Sequence, residues 1–224
     1  MNKIVVFDTS SIITIVTNNL SNILKNLKKN VRFFISKEVK KELVDYPIRI
    51  KRFKLEAMQV MELIDEGIFE VSDIKNKINI MDLANNIFYV KKKPLNLLHK
   101  AEIDSLILCE ELNADCYIVD ERTMRLFIED IKDMKSLLEN KLHVKVDFNA
   151  SNYQKFREKY KNIKILRSSE LMVVAYEKRL MNGLISHRYG QQDQIDALLW
   201  GLRLRGCAIS TEEIDLMKNI VKKQ

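Results

Sequence analysis

The sequence predicts an α/β fold, a parallel sheet with helices on both faces, followed by a mostly helical, basic C-terminal extension. Three observations predict it. Short, continuous runs of β-prone apolar residues recur in the first two thirds of the chain; they are too short for helices and read as strands buried on both sides. Stretches with helical apolar spacing separate them, the order that gives right-handed crossovers. From about residue 150 the pattern changes to helices almost throughout. The predicted division is therefore 1–148, an α/β domain, and 149–224, the extension.

Ile4-Val5-Val6-Phe7 is the first strand, with Asp8 at its carboxyl end. Thr9, Ser10 and Ser11 offer hydroxyls to cap a helix that carries Ile12, Ile13 and Val16 inward. Residues 31–35 make a second strand, and Ser36 caps a helix with Val39 and Leu43 on one face and Glu42 near its inner edge. Phe53, Ala57, Val60, Met61 and Ile64 place a helix over 51–66, which Gly67 ends before a short strand at 68–71. A helix is expected over about 80–91, with Pro94 as the next break. Ile103, Leu106, Ile107 and Leu112 mark a helix over 100–112. Asn113-Ala114 is a turn, and a strand at 116–119 ends in Asp120 and Glu121. A last strand is expected at 142–146, then a basic segment and helices at 169–182, 191–205 and 210–222, with a glycine-bounded loop at 183–190.

Composition narrows the function classes. Of the 224 residues 46% are apolar and 31% charged, with only two prolines and five glycines, which describes a soluble, helix-rich globular protein rather than a disordered or fibrous one. Cys109, Cys116 and Cys207 lack the spacing of a zinc or redox motif and read as reduced thiols in a cytoplasmic protein. No run of 18 apolar residues is present to span a bilayer, and Asp8 interrupts the N-terminal apolar run, against a secretory leader. No membrane partner is expected. The net charge of +7 is uneven: residues 151–224 hold 14 Lys+Arg against 8 Asp+Glu, and residues 1–150 hold 24 against 23. An anionic partner is thus expected to meet the last third.

The acidic residues concentrate where an α/β sheet binds ligands, beyond the carboxyl ends of its strands. Asp8, Glu42, Glu102, Asp104, Asp120 and Glu121 all fall at such places. Carboxylates gathered without basic partners repel one another, and a hard divalent cation between them relieves the cost. Oxygen donors without histidine select magnesium or manganese over zinc. Two such ions about 3.5–4 Å apart would clamp the attacking water and the leaving oxygen of a phosphodiester, so hydrolysis needs no protein nucleophile. His99, His143 and His187 stand apart from one another and from any nucleophile pattern, and take no catalytic role.

The ordered series Val5-Val6-Phe7-Asp8-Thr9-Ser10, Val39-Lys40-Lys41-Glu42-Leu43, Ala101-Glu102-Ile103-Asp104 and Val119-Asp120-Glu121-Arg122, with Arg125 one turn on, resembles the PIN domain over about residues 3–146. Ala101 replaces a usual glycine, and Glu121 replaces a usual aspartate. The resemblance implies a Rossmann-like parallel sheet and a Mg2+- or Mn2+-dependent endoribonuclease. It implies Asp8, Glu42, Asp104 and Asp120 as catalytic residues, and Asp8, Glu42, Glu102, Asp104 and either or both of Asp120 and Glu121 as metal ligands. Asp104 is the stronger choice over Glu102. Thr9 and Ser10, the hydroxyl residues beside the first aspartate, fall on the nucleic-acid side of that site.

The resemblance further implies RNA as substrate, often a homodimer, and a protein partner, either an antitoxin or an RNA-processing factor. A typical toxin of the family is shorter than this chain, which sets the extension apart. Within it, Lys155, Arg157 and Lys159 interleave with Tyr153, Phe156 and Tyr160, so cations could meet phosphates while rings stack on bases. The alternative is a surface helix whose rings pack on the core. Against the enzyme stands a second class, a non-catalytic RNA-binding or scaffold protein of the same fold. A phosphatase or response-regulator-like domain fits poorly, because the acidic pair and phosphate-contacting lysine it requires are not evident.

Overall fold

The computed structural model describes residues 2–75, 79–181, 183–186 and 188–222. His187 lies outside them. The chain runs β1 (Lys3–Phe7), α1 (Thr9–Thr17), α2 (Ser21–Leu27), β2 (Val31–Ser36), α3 (Lys37–Lys40), α4 (Lys54–Asp65), β3 (Phe69–Ser72), α5 (Ile80–Asn85), β4 (Phe88–Val90) and β5 (Lys93–Pro94). It continues with α6 (Lys100–Glu111), β6 (Cys116–Ile118), α7 (Arg122–Glu129), α8 (Ile131–Leu142), β7 (Asp147–Phe148), α9 (Ala150–Tyr160), β8 (Ile165–Leu166), α10 (Ser168–Glu177), α11 (Gln191–Leu204) and α12 (Thr211–Lys222). A π-helical turn, Lys41–Asp45, and a 3-10 turn, Pro47–Arg49, follow α3.

The expected parallel α/β sheet is present, in the order β3-β2-β1-β6-β8. Alternate residues of β1 serve opposite layers. Val5 and Phe7 join Phe33, Ile35 and Phe69 on one face, under α1, α2, α4 and α10 to α12. Val6 joins Phe34, Tyr117 and Val119 on the other, under α5 to α9. Phe7 packs edge-to-face against Phe33 and Phe69, with centroids 5.4 Å away in each case. Truncating Phe7 to alanine would cost about 3–5 kcal/mol.

Residues on either side of 148 share this sheet and both cores. β8 pairs with β6, placing Ile118 opposite Leu166. In α9, Phe156 and Tyr160 are buried, and the Phe156 ring meets Phe127 and Tyr160. Tyr153 packs against Phe148 at 5.5 Å. Of the two alternatives for the basic segment, the rings thus follow the second: Phe156 and Tyr160 are core residues and Tyr153 is partly buried against the same core. Trp200 is partly buried against the core, under the Arg203 guanidinium.

Other local expectations are corrected. The helix over 80–91 stops at Asn85, and Phe88–Val90 is a strand of a small antiparallel sheet, β5-β4-β7. Its β-prone residues find a partner in Phe148, at 5.5 Å from Phe88, so tertiary pairing overrides the helical spacing. Residues 142–146 are not a strand: α8 ends at Leu142, His143 takes a left-handed backbone (φ 54°), and 143–146 form the irregular connection that follows. Leu142 and Val144 stay exposed while Val146 is buried. Ile13 also turns outward, leaving Ile12, Ile15 and Val16 to fill the core. No helix among the described residues is long and apolar enough to cross a membrane.

Candidate active site

β1 ends in the middle of the sheet, and the Asp8 N–H continues its ladder to the Ile118 carbonyl at 2.9 Å. The chain then turns into α1, with Asp8 as its N-cap. Asp8 Oδ2 accepts from the Ser10 N–H (3.1 Å) and the Ser10 hydroxyl (2.7 Å). Its other oxygen, Oδ1, is buried with no hydrogen-bond partner among the described residues. Burial raises the Asp8 pKa, the Ser10 hydrogen bonds oppose the shift, and the Glu42 charge adds to it.

Glu42 comes from the π-helical turn, where the insertion breaks the helix that Ser36 caps. Such turns recur at functional sites. Its Oε2 accepts from the Thr9 hydroxyl at 2.6 Å, which binds it to the segment just after Asp8. Thr9 and Ser10, expected to meet nucleic acid, thus spend their hydroxyls on carboxylates of this chain.

Glu102 lies in the first turn of α6, its Oε2 accepting from the His99 N–H at 2.7 Å. Its pKa is pushed up to about 8, first by burial and then by the charges of Asp8, Glu121 and Glu42, against the His99 hydrogen bond. Glu121 is the N-cap of α7 and accepts from the Met124 N–H at 2.7 Å. The charges of Asp8, Glu121 and Glu42 thus all bear on Glu102, and that of Glu42 bears on Asp8.

Asp104 and Asp120 have partners of their own. Successive helical residues are turned by about 100°, so Asp104 faces well away from Glu102. It is buried against the Lys100 ammonium at 2.7 Å, and Lys100 also reaches Glu38 at 3.0 Å. Asp120 is fully buried, with Oδ1 accepting from the Ser168 N–H (2.7 Å) and Oδ2 from the Ser168 hydroxyl (2.6 Å). Sequence alone favours Asp104 over Glu102 and leaves Asp120 and Glu121 open. In the fold a cation holds Asp104 and a helix start holds Asp120, while Glu102 feels the charges of Asp8, Glu121 and Glu42. Lys100 stands four residues before Asp104 on one helix, a spacing that signals an ion pair in the sequence, whereas nothing local marks Ser168 as the partner of Asp120, 48 positions away.

With this geometry in view, one comparison decides the family: a family described as a PIN domain matches residues 4–132, more than half of the chain. The chain belongs to the PIN-domain family. No curated protein and no solved structure matches it. The PIN match contains all six acidic residues and ends at the start of α8. A PIN domain is a nuclease-type fold whose members typically act on nucleic acid with divalent metals.

The residues present suit such an ion by chemistry: every donor is a carboxylate oxygen, and Asp8 Oδ1 has a free, buried lone pair. Among the described residues no three His, Cys, Asp or Glu side chains are gathered closely enough to hold an ion as they stand.

In the extension, Lys155 and Arg157 are exposed on α9. Lys159 is paired with Glu110 at 3.0 Å and lies over the Tyr160 ring. Arg167 is buried between Glu170 and Glu213, tying the start of α10 to α12. The pairing raises its pKa although burial opposes the charge.

Proposed function

We propose that this PIN domain is a Mg2+- or Mn2+-dependent endoribonuclease that hydrolyses RNA phosphodiester bonds at the group formed by Asp8, Glu42, Glu102 and Glu121. The observation that carries the proposal is the buried Asp8 oxygen left unpaired beside Thr9, whose hydroxyl ties Glu42 to this segment, with the charges of Asp8, Glu121 and Glu42 all bearing on Glu102.

Those four carboxylates would hold the ion, which when bound supplies Lewis acidity toward the phosphoryl group and a lowered pKa for its water. The chain's own part is orientation. Ser10 fixes one Asp8 oxygen and leaves the other open, Thr9 draws Glu42 toward Asp8, and the His99 N–H holds Glu102. Near neutral pH Glu102 keeps a proton, which lowers the repulsion within the group until a cation takes its place. The catalytic roles expected of Asp104 and Asp120 pass to Glu102 and Glu121.

RNA is proposed to run over Lys155 and Arg157, whose exposure leaves them open to phosphates. A second copy or a protein partner is proposed to cover Leu55 and Met58, since these apolar side chains, like Tyr46, Ile50 and Phe53 shortly before them in the chain, are exposed. Action in the cytoplasm is proposed on the three free thiols.

The competing reading is a non-catalytic RNA-binding or scaffold protein, supported by the lack of a ready-gathered ligand trio among the described residues. Incubation with single-stranded and structured RNA in Mg2+, Mn2+ or EDTA decides between them. The enzyme cleaves only with metal. RNA bound but left intact under all three conditions would establish the scaffold.

A further inference from the structure

We propose that the C-terminal segment is a positioning part of the active site, acting on Asp8 and Glu121 through a hydrogen-bonded chain from Ser168 to Asp120 to Ser10 to Asp8. The inference rests on the site proposed above and adds support from residues beyond the family match, which ends at 132.

Asp120 is the centre of the chain. Its fully buried carboxylate is satisfied by two donors from one residue, the Ser168 N–H at 2.7 Å and the Ser168 hydroxyl at 2.6 Å. A buried carboxylate without donors is costly, so Asp120 and the start of α10 hold each other in place. The Asp120 carbonyl accepts from the Ala208 N–H at 3.3 Å, in the turn between α11 and α12. Side chain and backbone of Asp120 are thus both anchored by the extension.

The other side of Asp120 faces the site. Its N–H donates to the Ser10 hydroxyl oxygen at 3.2 Å, and that hydroxyl donates to Asp8 Oδ2 at 2.7 Å. A hydroxyl has one proton and two lone pairs. With the Asp120 N–H on a lone pair, the Ser10 proton is directed to Asp8, and Oδ1 is left as the open oxygen. Glu121 follows Asp120 directly, so pinning Asp120 also sets where the Glu121 carboxylate leaves the sheet.

Partners that orient a metal-binding carboxylate are worth about 10- to 100-fold in affinity. The test is Mn2+ binding by titration calorimetry on the full chain, with thermal unfolding of each variant alongside. Ser168→Ala is expected to weaken Mn2+ about 10-fold while unfolding stays cooperative. Ser169→Ala, which deletes the neighbouring buried hydroxyl outside the chain, is expected to bind as the wild type does. Ser10→Ala should weaken binding similarly, and the S10A/S168A double variant should lose less than the two single losses combined, because both break one chain. If S168A does not fold, Asp120→Asn carries the same expectation. Wild-type affinity in S168A, or fully additive losses, overturns the proposal. Asp8→Asn separates the two readings. Should D8N bind Mn2+ normally, the site itself is wrong, whereas a null D8N beside an unaffected S168A sinks the positioning chain alone.

Discussion

The Thr9 hydroxyl donates to Glu42 Oε2 at 2.6 Å, joining the residue after Asp8 to a helical turn 33 positions further on. Thr9→Val keeps the shape and removes the donor. RNA cleavage in Mn2+ is expected to fall about 10-fold, with stability changed by no more than about 1 kcal/mol. Single-turnover kinetics and a melting curve check both; unchanged cleavage would show that Glu42 needs no such guide.

Asp8→Asn is expected to abolish metal-dependent cleavage while the protein still unfolds cooperatively. The substitution removes a charge that burial already disfavours, so no large loss of stability accompanies it. EDTA should have the same effect on the wild type. Cleavage by D8N at the wild-type rate would falsify the catalytic reading.

Glu102 and Asp104 should separate in function. Glu102→Ala is expected to cost about 100-fold in cleavage, because it removes one of the four grouped acids. Asp104→Asn should stay near the wild-type rate and show instead a small fall in melting temperature, its ion pair with Lys100 being removed. The reverse pattern would restore the assignment suggested by sequence.

Glu102 also makes stability depend on pH. Its pKa in the fold is about 8, against about 4.3 in an unfolded chain. The folded state therefore holds the proton more tightly. The contribution is complete below the unfolded value and is lost as pH rises through about 8. Glu102→Gln does not titrate and keeps an oxygen for the His99 N–H. In EDTA it should melt with the wild type at pH 4 and above it by several degrees at pH 9, on the order of 2 kcal/mol after allowing for partial exposure. Identical curves at pH 9 would refute the buried-acid account.

For the extension, reversing Lys155 and Arg157 to glutamate should weaken RNA binding and reduce the slope of log affinity against log salt by about 0.7 for each phosphate of a single strand that is no longer neutralised. Reversal of Lys159 should do less to that slope, since its charge is already spent on Glu110. Fluorescence anisotropy across a salt series distinguishes these cases.

The architecture is largely legible in the sequence. Ile4-Val5-Val6-Phe7 has the pattern of a strand buried on both faces, and it is the centre of the sheet. Elements near 80–91 and 142–146 are not legible, because their identity rests on contacts made elsewhere, Phe88 with Phe148 above all. The same holds for the basic segment, where spacing does not say whether Phe156 and Tyr160 meet bases or the core.

By itself the sequence determined the alternation of strands and helices, the family and the set of six acids from which a site could be drawn, because apolar period and residue type are local properties. Tertiary structure alone decided the partners of each acid. Two adjacent carboxylates, Asp120 and Glu121, are equivalent on paper. They part because Ser168, 48 residues away, satisfies one inside the protein and leaves the other at the rim, and a buried charge goes where its donors are.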